Sequence, residues 1–115
     1  MYNIYEEFIN EILNLHILKE PNMFSLYRIH QNGKDKELNI ELIYIDKKER
    51  GNNNSVVLLD KLKKIALDNN CNILSANISK EFNEFIQQKS IHICRLYGMN
   101  KIYENDKVYI YSRGL

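Results

Sequence analysis

Residues 38–45 constrain the fold more than any other part of the chain. They read LNIELIYI, an almost unbroken run of aliphatic and aromatic side chains. Such a run is typical of a strand that is covered on both faces rather than wetted on one. We therefore expect these residues to form a central strand of a sheet, with other elements packed against it.

The length of the chain limits the number of hydrophobic cores. A chain of 115 residues is long enough for one core and too short for two, because small domains bury only a modest fraction of their unfolded surface. No internal repeat or low-complexity tail divides the sequence. We therefore expect a single domain over residues 1–115.

Charge, cysteine and histidine content exclude several kinds of site. The 16 basic and 15 acidic residues nearly cancel, so no net field attracts a nucleic acid. Cys71 and Cys94 lie far apart and supply neither a disulfide framework nor a CxxC motif. The three histidines are too scattered to form a recognised metal-binding pattern. We predict no nucleic-acid partner and no metal site.

The amino terminus and the hydropathy pattern indicate a cytoplasmic protein. Glu6 and Glu7 place negative charge where a secretory signal carries positive charge. No apolar run approaches the roughly 20 residues that span a bilayer. We therefore expect neither export nor a membrane partner.

The periodicity of the first residues predicts a helix. Apolar side chains recur at three- and four-residue steps over residues 4–17, while acidic and amide side chains occupy the other positions. This spacing is typical of an amphipathic helix. Pro21, the only proline, follows it, so the helix ends before that residue.

A β-hairpin is predicted next. Residues 23–30 have the aromatic and branched content of a strand. Asn32 and Gly33 both accept positive φ angles, which is typical of a turn. A loop over residues 32–36 therefore connects this strand to residues 38–45, and the two form an antiparallel pair.

The remaining sequence predicts two helices, a strand and a second hairpin. In chain order these are a helix over residues 56–68, a strand over 71–78, a helix over 82–97 that stops at Gly98, and strands over 101–105 and 108–112. The strand, helix, strand succession implies a right-handed crossover in a partly parallel sheet. The fold class is therefore α/β (α+β), in the order helix, β-hairpin, helix, strand, helix, β-hairpin.

The loop after the central strand carries a family resemblance. Arg50, Asn53 and Ser55 occupy the defined positions of an Arg/Gln-x-x-Gly-x-Gly/Ala pattern, and Leu58-Leu59 supply the paired aliphatic residues that follow it. In this register the chain resembles the GNAT N-acetyltransferase superfamily. In that superfamily the loop's backbone N–H groups wrap the pyrophosphate of coenzyme A at the positive end of the following helix.

A second stretch also resembles the superfamily. The strand around Asn77, followed by a helix that ends in Tyr97-Gly98-Met99, is similar to the family's strand, helix and Phe-Tyr-x-x-x-Gly-Phe ending. The tyrosine with which many members protonate the departing thiolate falls at Cys94 in this register. Tyr97 would replace it if the end of the helix is rearranged. Cys94 is otherwise a small apolar core residue.

The resemblance implies a site for acetyl-CoA as cosubstrate. It implies a catalytic base on the central strand, for which Glu41 is the candidate because alternation places it on one face with Ile43 and Ile45. Tyr97 is the candidate acid. The implied cofactor-binding residues are Ile43, Ile45, Arg50, Gly51, Asn52, Asn53, Asn54, Ser55 and Asn77.

Three functions remain open at this point. The first is acetyl transfer from acetyl-CoA to an amine acceptor, either a protein or a small molecule. The second is a catalytically inactive GNAT-fold protein that acts as an inhibitor or assembly subunit. In the simpler interpretation of the site, residues 46–55 are a solvated loop capped by Ser55, and Glu41 is a solvent-facing carboxylate. Either Ser55 or Asn54 is expected to be the N-cap of the helix that follows. The third is an unrelated α/β adaptor.

The resemblance also predicts a partner. Family domains usually have a further strand and helix at the amino end, and the prediction for this chain contains neither. The strand over residues 23–30 would then lie at an unpaired edge, which proteins cover or use for association. We expect a homodimer, or a protein partner that completes the sheet.

Overall fold

The computed structural model describes residues 3–51 and 53–115, and its helices and strands follow the predicted order with one addition. The first half contains α1 (Ile4–Glu11), β1 (His16–Glu20), β2 (Met23–Asn32) and β3 (Asp35–Ile45), followed by one turn of 3₁₀ helix (Lys47–Glu49). The second half contains α2 (Asn54–Asp68), β4 (Ile73–Ser79), α3 (Glu84–Leu96), β5 (Asn100–Glu104) and β6 (Val108–Gly114).

The strands form one mixed sheet of six, in the order β1-β2-β3-β4-β6-β5. Only β3 and β4 run parallel, and they are joined by α2, while all other neighbours are antiparallel. The predicted α/β class and the crossover between the two central strands are therefore confirmed.

The core lies on one face of this sheet, where both α2 and α3 pack. Leu38 and Ile40 of β3, Leu74 of β4 and Tyr111 of β6 are almost completely buried there. The helices contribute Leu58, Leu59, Leu62, Ala66, Ile91 and Cys94. The expectation that β3 is covered on both faces is wrong, because its opposite face carries polar side chains and lines an open cleft.

The predicted helix over residues 4–17 is too long, and its last residues belong to an additional strand. The helix α1 ends at Glu11, and Asn14 takes a left-handed conformation (φ 54°) that turns the chain. The strand β1 then pairs with β2 from His16 opposite Tyr27 to Glu20 opposite Met23. Helical and strand apolar spacing overlap in this short stretch, and pairing with β2 decides between them.

The added strand removes the argument for a homodimer. The two strands are joined by Pro21 and Asn22 alone, which is a tight turn with proline at the position that suits its fixed φ angle. The strand β2 is therefore paired with β3 along its length and with β1 over residues 23–27. The predicted unpaired edge is wrong for residues 23–27, whereas residues 28–30 have no pairing with β1.

The two long helices begin at asparagine caps. Asn53 precedes α2 without a side-chain capping bond, one residue before the predicted Asn54 and two before the predicted Ser55. Asn83 precedes α3, and its side chain accepts a hydrogen bond from the Ile86 N–H at 2.9 Å, the usual stabilisation of a helix start. None of the helices in the described residues is long and apolar enough to cross a membrane.

Candidate functional site

The two parallel strands of the sheet separate at their carboxyl ends. Pairing between β3 and β4 runs from Glu37 opposite Ile73 to Ile40 opposite Ala76 and ends there. Both strands continue beyond this point, β3 by five residues to Ile45 and β4 by three residues to Ser79. Backbone groups on the facing edges of the two strands are therefore free of sheet pairing within the gap.

A β-bulge lies on β3 at the start of this gap. Leu26 pairs with Leu42 and Tyr27 pairs with Ile40, so Glu41 is the extra residue. A bulge shifts the side-chain alternation by one position and re-aims the residues next to it. Bulges of this kind are common beside active sites.

The bulge overturns the predicted grouping of Glu41 with Ile43 and Ile45. Ile43 packs against the hydrophobic core on the face covered by α2 and α3. Ile45 pairs with Met23, which packs against the same core. Glu41 instead lines the open cleft on the opposite face. Simple alternation fails because the bulge inserts one residue between these positions.

A ladder of polar side chains connects β3 and β4 on the open face. Asn77 Nδ2 donates to Glu41 Oε1 and to Asn39 Oδ1, each at 3.1 Å, and Asn77 Oδ1 accepts from Asn39 Nδ2 at 3.1 Å. Asn39 Nδ2 also donates to Ser75 Oγ at 2.8 Å, and Ser75 Oγ donates to Glu37 Oε2 at 2.6 Å. Because buried polar networks are rigid when every member is partnered, the ladder fixes the position of Glu41.

Two basic side chains of β2 approach the carboxylates of this ladder. Arg28 Nε lies 3.4 Å from Glu41 Oε1, and His30 Nε2 lies 3.7 Å from Glu37 Oε2. Arg28 Nε is buried, yet it has no hydrogen-bond partner among residues 3–51 and 53–115. The contact between Arg28 and Glu41 is therefore an ion pair without a well-formed hydrogen bond.

These residues line a cleft of about 570 Å³, which is the size of a small-molecule site. Its lining residues are Asn14, His16, Arg28, Ile29, His30, Glu37, Asn39, Glu41, Asn77, Ile102 and Ile110. The sequence did not identify Arg28, His16 or His30 as site residues. The alternation of side chains along β2 places Arg28 and His30 on the same face and could have identified them. His16 could not be identified in this way, because the strand β1 was not predicted.

The loop between β3 and α2 is held by contacts of its own residues. Arg50 Nε donates to the Ile45 carbonyl at 2.9 Å, and its guanidinium lies 5.4 Å from the centre of the Tyr44 ring. Gly51 and Asn53 both have positive φ angles, 89° and 60°, and these are residue types that tolerate this region. Asn52, a predicted cofactor-binding residue, lies outside the described residues.

This loop brings the amino end of α2 to the carboxyl end of β3. No acceptor for the backbone N–H groups of Asn54 and Ser55 lies among residues 3–51 and 53–115. The Asn54 side chain donates to the Glu49 carbonyl at 2.7 Å, which leaves these N–H groups uncapped. The positive end of a 15-residue helix with free N–H groups favours an anion.

Tyr97 and Cys94 lie on the other face of the sheet from Glu41. The Tyr97 hydroxyl donates to Asp60 Oδ1 of α2 at 2.7 Å, and Tyr97 packs against the core. Burial, together with the Asp60 carboxylate, raises the pKa of Tyr97 to about 12. Burial alone raises the pKa of Cys94 to about 11. The predicted grouping of Tyr97 with Glu41 is therefore wrong.

Asn77 keeps its predicted place at the gap, but its side chain faces the polar ladder. Both its amide nitrogen and its amide oxygen are bonded to β3 side chains. The Asn77 side chain is therefore turned away from the gap between the two strands, towards the open face of the sheet.

Comparison with known proteins identifies the architecture. No protein-family model matches the sequence, and no curated protein sequence matches it. The structure is similar to an acetyltransferase of the GNAT family from Listeria monocytogenes (14% identity, TM-score 0.60), where the match covers 82% of this chain and 58% of that one. The chain therefore spans less than two thirds of the Listeria protein.

Two further structures are matched over more of their length. One is the NatC complex bound to Gag peptide and CoA (11% identity, TM-score 0.69), with 100% of this chain and 81% of that chain covered. The other is a GNAT family acetyltransferase from Elizabethkingia anophelis with acetyl-CoA bound (12% identity, TM-score 0.68), with 96% and 83% covered. The chain has the GNAT fold.

Proposed function

We propose that this GNAT-fold chain is an acyl-CoA-dependent N-acetyltransferase, which moves an acetyl group from acetyl-CoA to an amine. One observation carries the proposal: the gap between β3 and β4 opens where Glu41, on a β-bulge, faces a cleft. A carboxylate, free backbone N–H groups and a cleft are the parts that this chemistry requires.

Glu41 is the proposed catalytic base. An acceptor amine enters the cleft as an ammonium ion and gives a proton to the Glu41 carboxylate. The freed nitrogen lone pair attacks the thioester carbonyl carbon, a C–N bond forms, and the C–S bond breaks. The nitrogen gives up its second proton as the thiolate leaves, and the thiolate takes up a proton to become the free thiol of coenzyme A, while Glu41 returns its proton to solvent. Asn77 and Arg28, which contact Glu41 Oε1, hold the carboxylate in place.

The backbone supplies the remaining groups in this proposal. Unpaired N–H groups of β3 beyond Ile40 are proposed to stabilise the negative charge that develops on the thioester oxygen. The loop of Arg50, Gly51 and Asn53 and the N–H groups of Asn54 and Ser55 are proposed to bind the pyrophosphate. Ile43 and Ile45 are proposed to contact the pantetheine arm through their backbone. Tyr97 takes no part, because its hydroxyl is bonded to Asp60.

A catalytically inactive binding protein is the second candidate function. It is favoured by the positions of Tyr97 and Cys94, neither of which lies on the Glu41 face to protonate a departing thiolate. Such a protein would still bind acetyl-CoA or a partner without turning it over. The two candidates differ in one measurable product, the free thiol of coenzyme A.

Calorimetric titration with acetyl-CoA, followed by an assay of thiol release with a panel of primary amines, tests the proposal. Binding together with amine-dependent release of free thiol is the expected result. Binding without release would support the inactive candidate. If neither acetyl-CoA nor coenzyme A binds at millimolar concentration, the transferase fails, and only an inactive protein that binds a partner is left.

A further inference from the structure

The acceptor cleft contains one ion pair whose arrangement bears on the substrate. Arg28 and Glu41 face each other with 3.4 Å between Nε and Oε1. Their side chains keep 42% and 30% of their surface exposed, although the Arg28 Nε atom itself is buried. Ion pairs with this much exposure contribute little to the stability of the fold, so a ligand can replace either partner without unfolding the protein.

The other carboxylate of the cleft is already occupied. Glu37 Oε2 accepts a hydrogen bond from Ser75 at 2.6 Å and lies beside His30. A second ammonium group at this position would have to compete with both partners. The unmet hydrogen-bonding capacity is instead at Arg28, whose buried Nε has no hydrogen-bond partner within the described residues.

An ordinary amine would disturb this pair. An ammonium ion that binds Glu41 replaces Arg28 there and leaves the guanidinium without a counter-charge. A molecule that carries both an ammonium and a carboxylate avoids this cost, because the ammonium takes Glu41 while the carboxylate takes Arg28. Guanidinium and carboxylate also match in geometry, since two parallel N–H···O bonds can form between them.

We infer that the acceptor is a small α-amino acid, in which the amine and the carboxylate are attached to the same carbon atom. This inference rests on the proposed function and on the adjacency of Arg28 and Glu41. Arg28 binds the carboxylate, Glu41 binds the ammonium and then removes its proton, and the apolar side chains of Ile102 and Ile110 contact the substrate's side chain.

Binding of matched ligand pairs tests this inference without acetyl-CoA. The side-chain amide signals of Asn39 and Asn77 are followed by NMR during titration with L-alanine and ethylamine, and with L-lysine and cadaverine. Each amino acid is expected to bind at least about tenfold more tightly than its decarboxylated partner, the value of one charged hydrogen bond.

Substitution of the arginine localises the effect. In Arg28→Gln the preference for the amino acid is expected to fall to within about twofold, whereas Arg95→Gln, the same change at an exposed arginine of α3, should keep it. The inference is overturned if the amines bind as tightly as the amino acids, if no ligand of the panel shifts these signals, or if the preference survives in Arg28→Gln.

The outcomes separate this inference from the proposed function. Thiol release that occurs with carboxylate-free amines but not with amino acids would retain the transferase and overturn the amino-acid acceptor. Tight amino-acid binding by a chain that does not bind acetyl-CoA would retain the ligand site and overturn the transferase.

Discussion

Asn77 Nδ2 donates to Glu41 Oε1 at 3.1 Å, immediately beyond the last paired positions of β4 and β3. The bond crosses the gap at the point where the two strands separate. A side-chain hydrogen bond thus connects β3 and β4 just beyond their last backbone pair. It places the carboxylate at the mouth of the gap.

Replacement of the proposed base should separate chemistry from binding. Glu41→Gln keeps an acceptor oxygen for Asn77 but cannot take a proton, so the acetylation rate should fall by about 10²- to 10⁴-fold. The dissociation constant for acetyl-CoA should change by less than about twofold. Rate measurements from pH 6 to 9 and calorimetry check both values. Glu11→Gln, at an exposed carboxylate of α1, is the matched control, and equal rates in the two variants would remove Glu41 from the mechanism.

Removal of the Asn77 amide should weaken both the ladder and the chemistry. Asn77→Ala leaves the buried Asn39 amide without two of its bonds, so the free energy of unfolding should fall by about 1–3 kcal/mol. Urea denaturation measures this loss, with Asn10→Ala on exposed α1 as control. The acetylation rate should also fall, because Glu41 loses the donor that holds it. An unchanged rate in the folded variant would contradict this positioning role.

The left-handed residue before α2 offers a test of the loop. Asn53 has φ 60° and makes no side-chain capping bond. In Asn53→Gly the free energy of unfolding should therefore stay within about 0.5 kcal/mol of the wild-type value, and acetyl-CoA should bind at least as tightly. In Asn53→Val the free energy of unfolding should fall by about 1–2 kcal/mol, because a β-branched residue is strained in the left-handed backbone conformation. Thermal unfolding and calorimetry distinguish the two. Unaltered acetyl-CoA affinity in Asn53→Val would argue against contact between the loop and the ligand.

Tyr97 should matter for stability and not for catalysis. Its pKa is raised to about 12 in the folded protein, against 10.0 for the free side chain. The neutral form is therefore favoured by folding, and this stabilisation is complete below pH 10 and lost as the pH rises from about 10 to 12. Tyr97→Phe should cost up to about 1 kcal/mol at pH 8 and progressively less above pH 10.

The acetylation rate of Tyr97→Phe should stay within about twofold of wild type at pH 8. Unfolding experiments at pH 8, 10 and 11 and a rate assay at pH 8 measure the two effects. A large fall in the acetylation rate with little change in the free energy of unfolding would indicate that Tyr97 acts as the catalytic acid.

The sequence by itself determined the class of the fold and the place of the loop between β3 and α2. Residues 38–45 predicted a strand, because their branched and aromatic side chains favour an extended backbone. The Asn32-Gly33 pair predicted the first turn, which the structure tightens to Gly33 and Lys34, since Asn32 pairs with Asp35. Local residue types fix these features, so they can be recognised without knowledge of distant contacts.

Only the tertiary structure decided which side chains meet. The β-bulge at Glu41 depends on how β2 lies against β3, and it moves Ile43 and Ile45 to the face opposite Glu41. The strand β1 exists because β2 offers it a partner, although its residues also continue a helical pattern. Arg28 and Glu41 come together across two strands, and Tyr97 reaches Asp60 across two helices. Such contacts depend on strand register and helix packing, which are set by the whole core rather than by neighbouring residues.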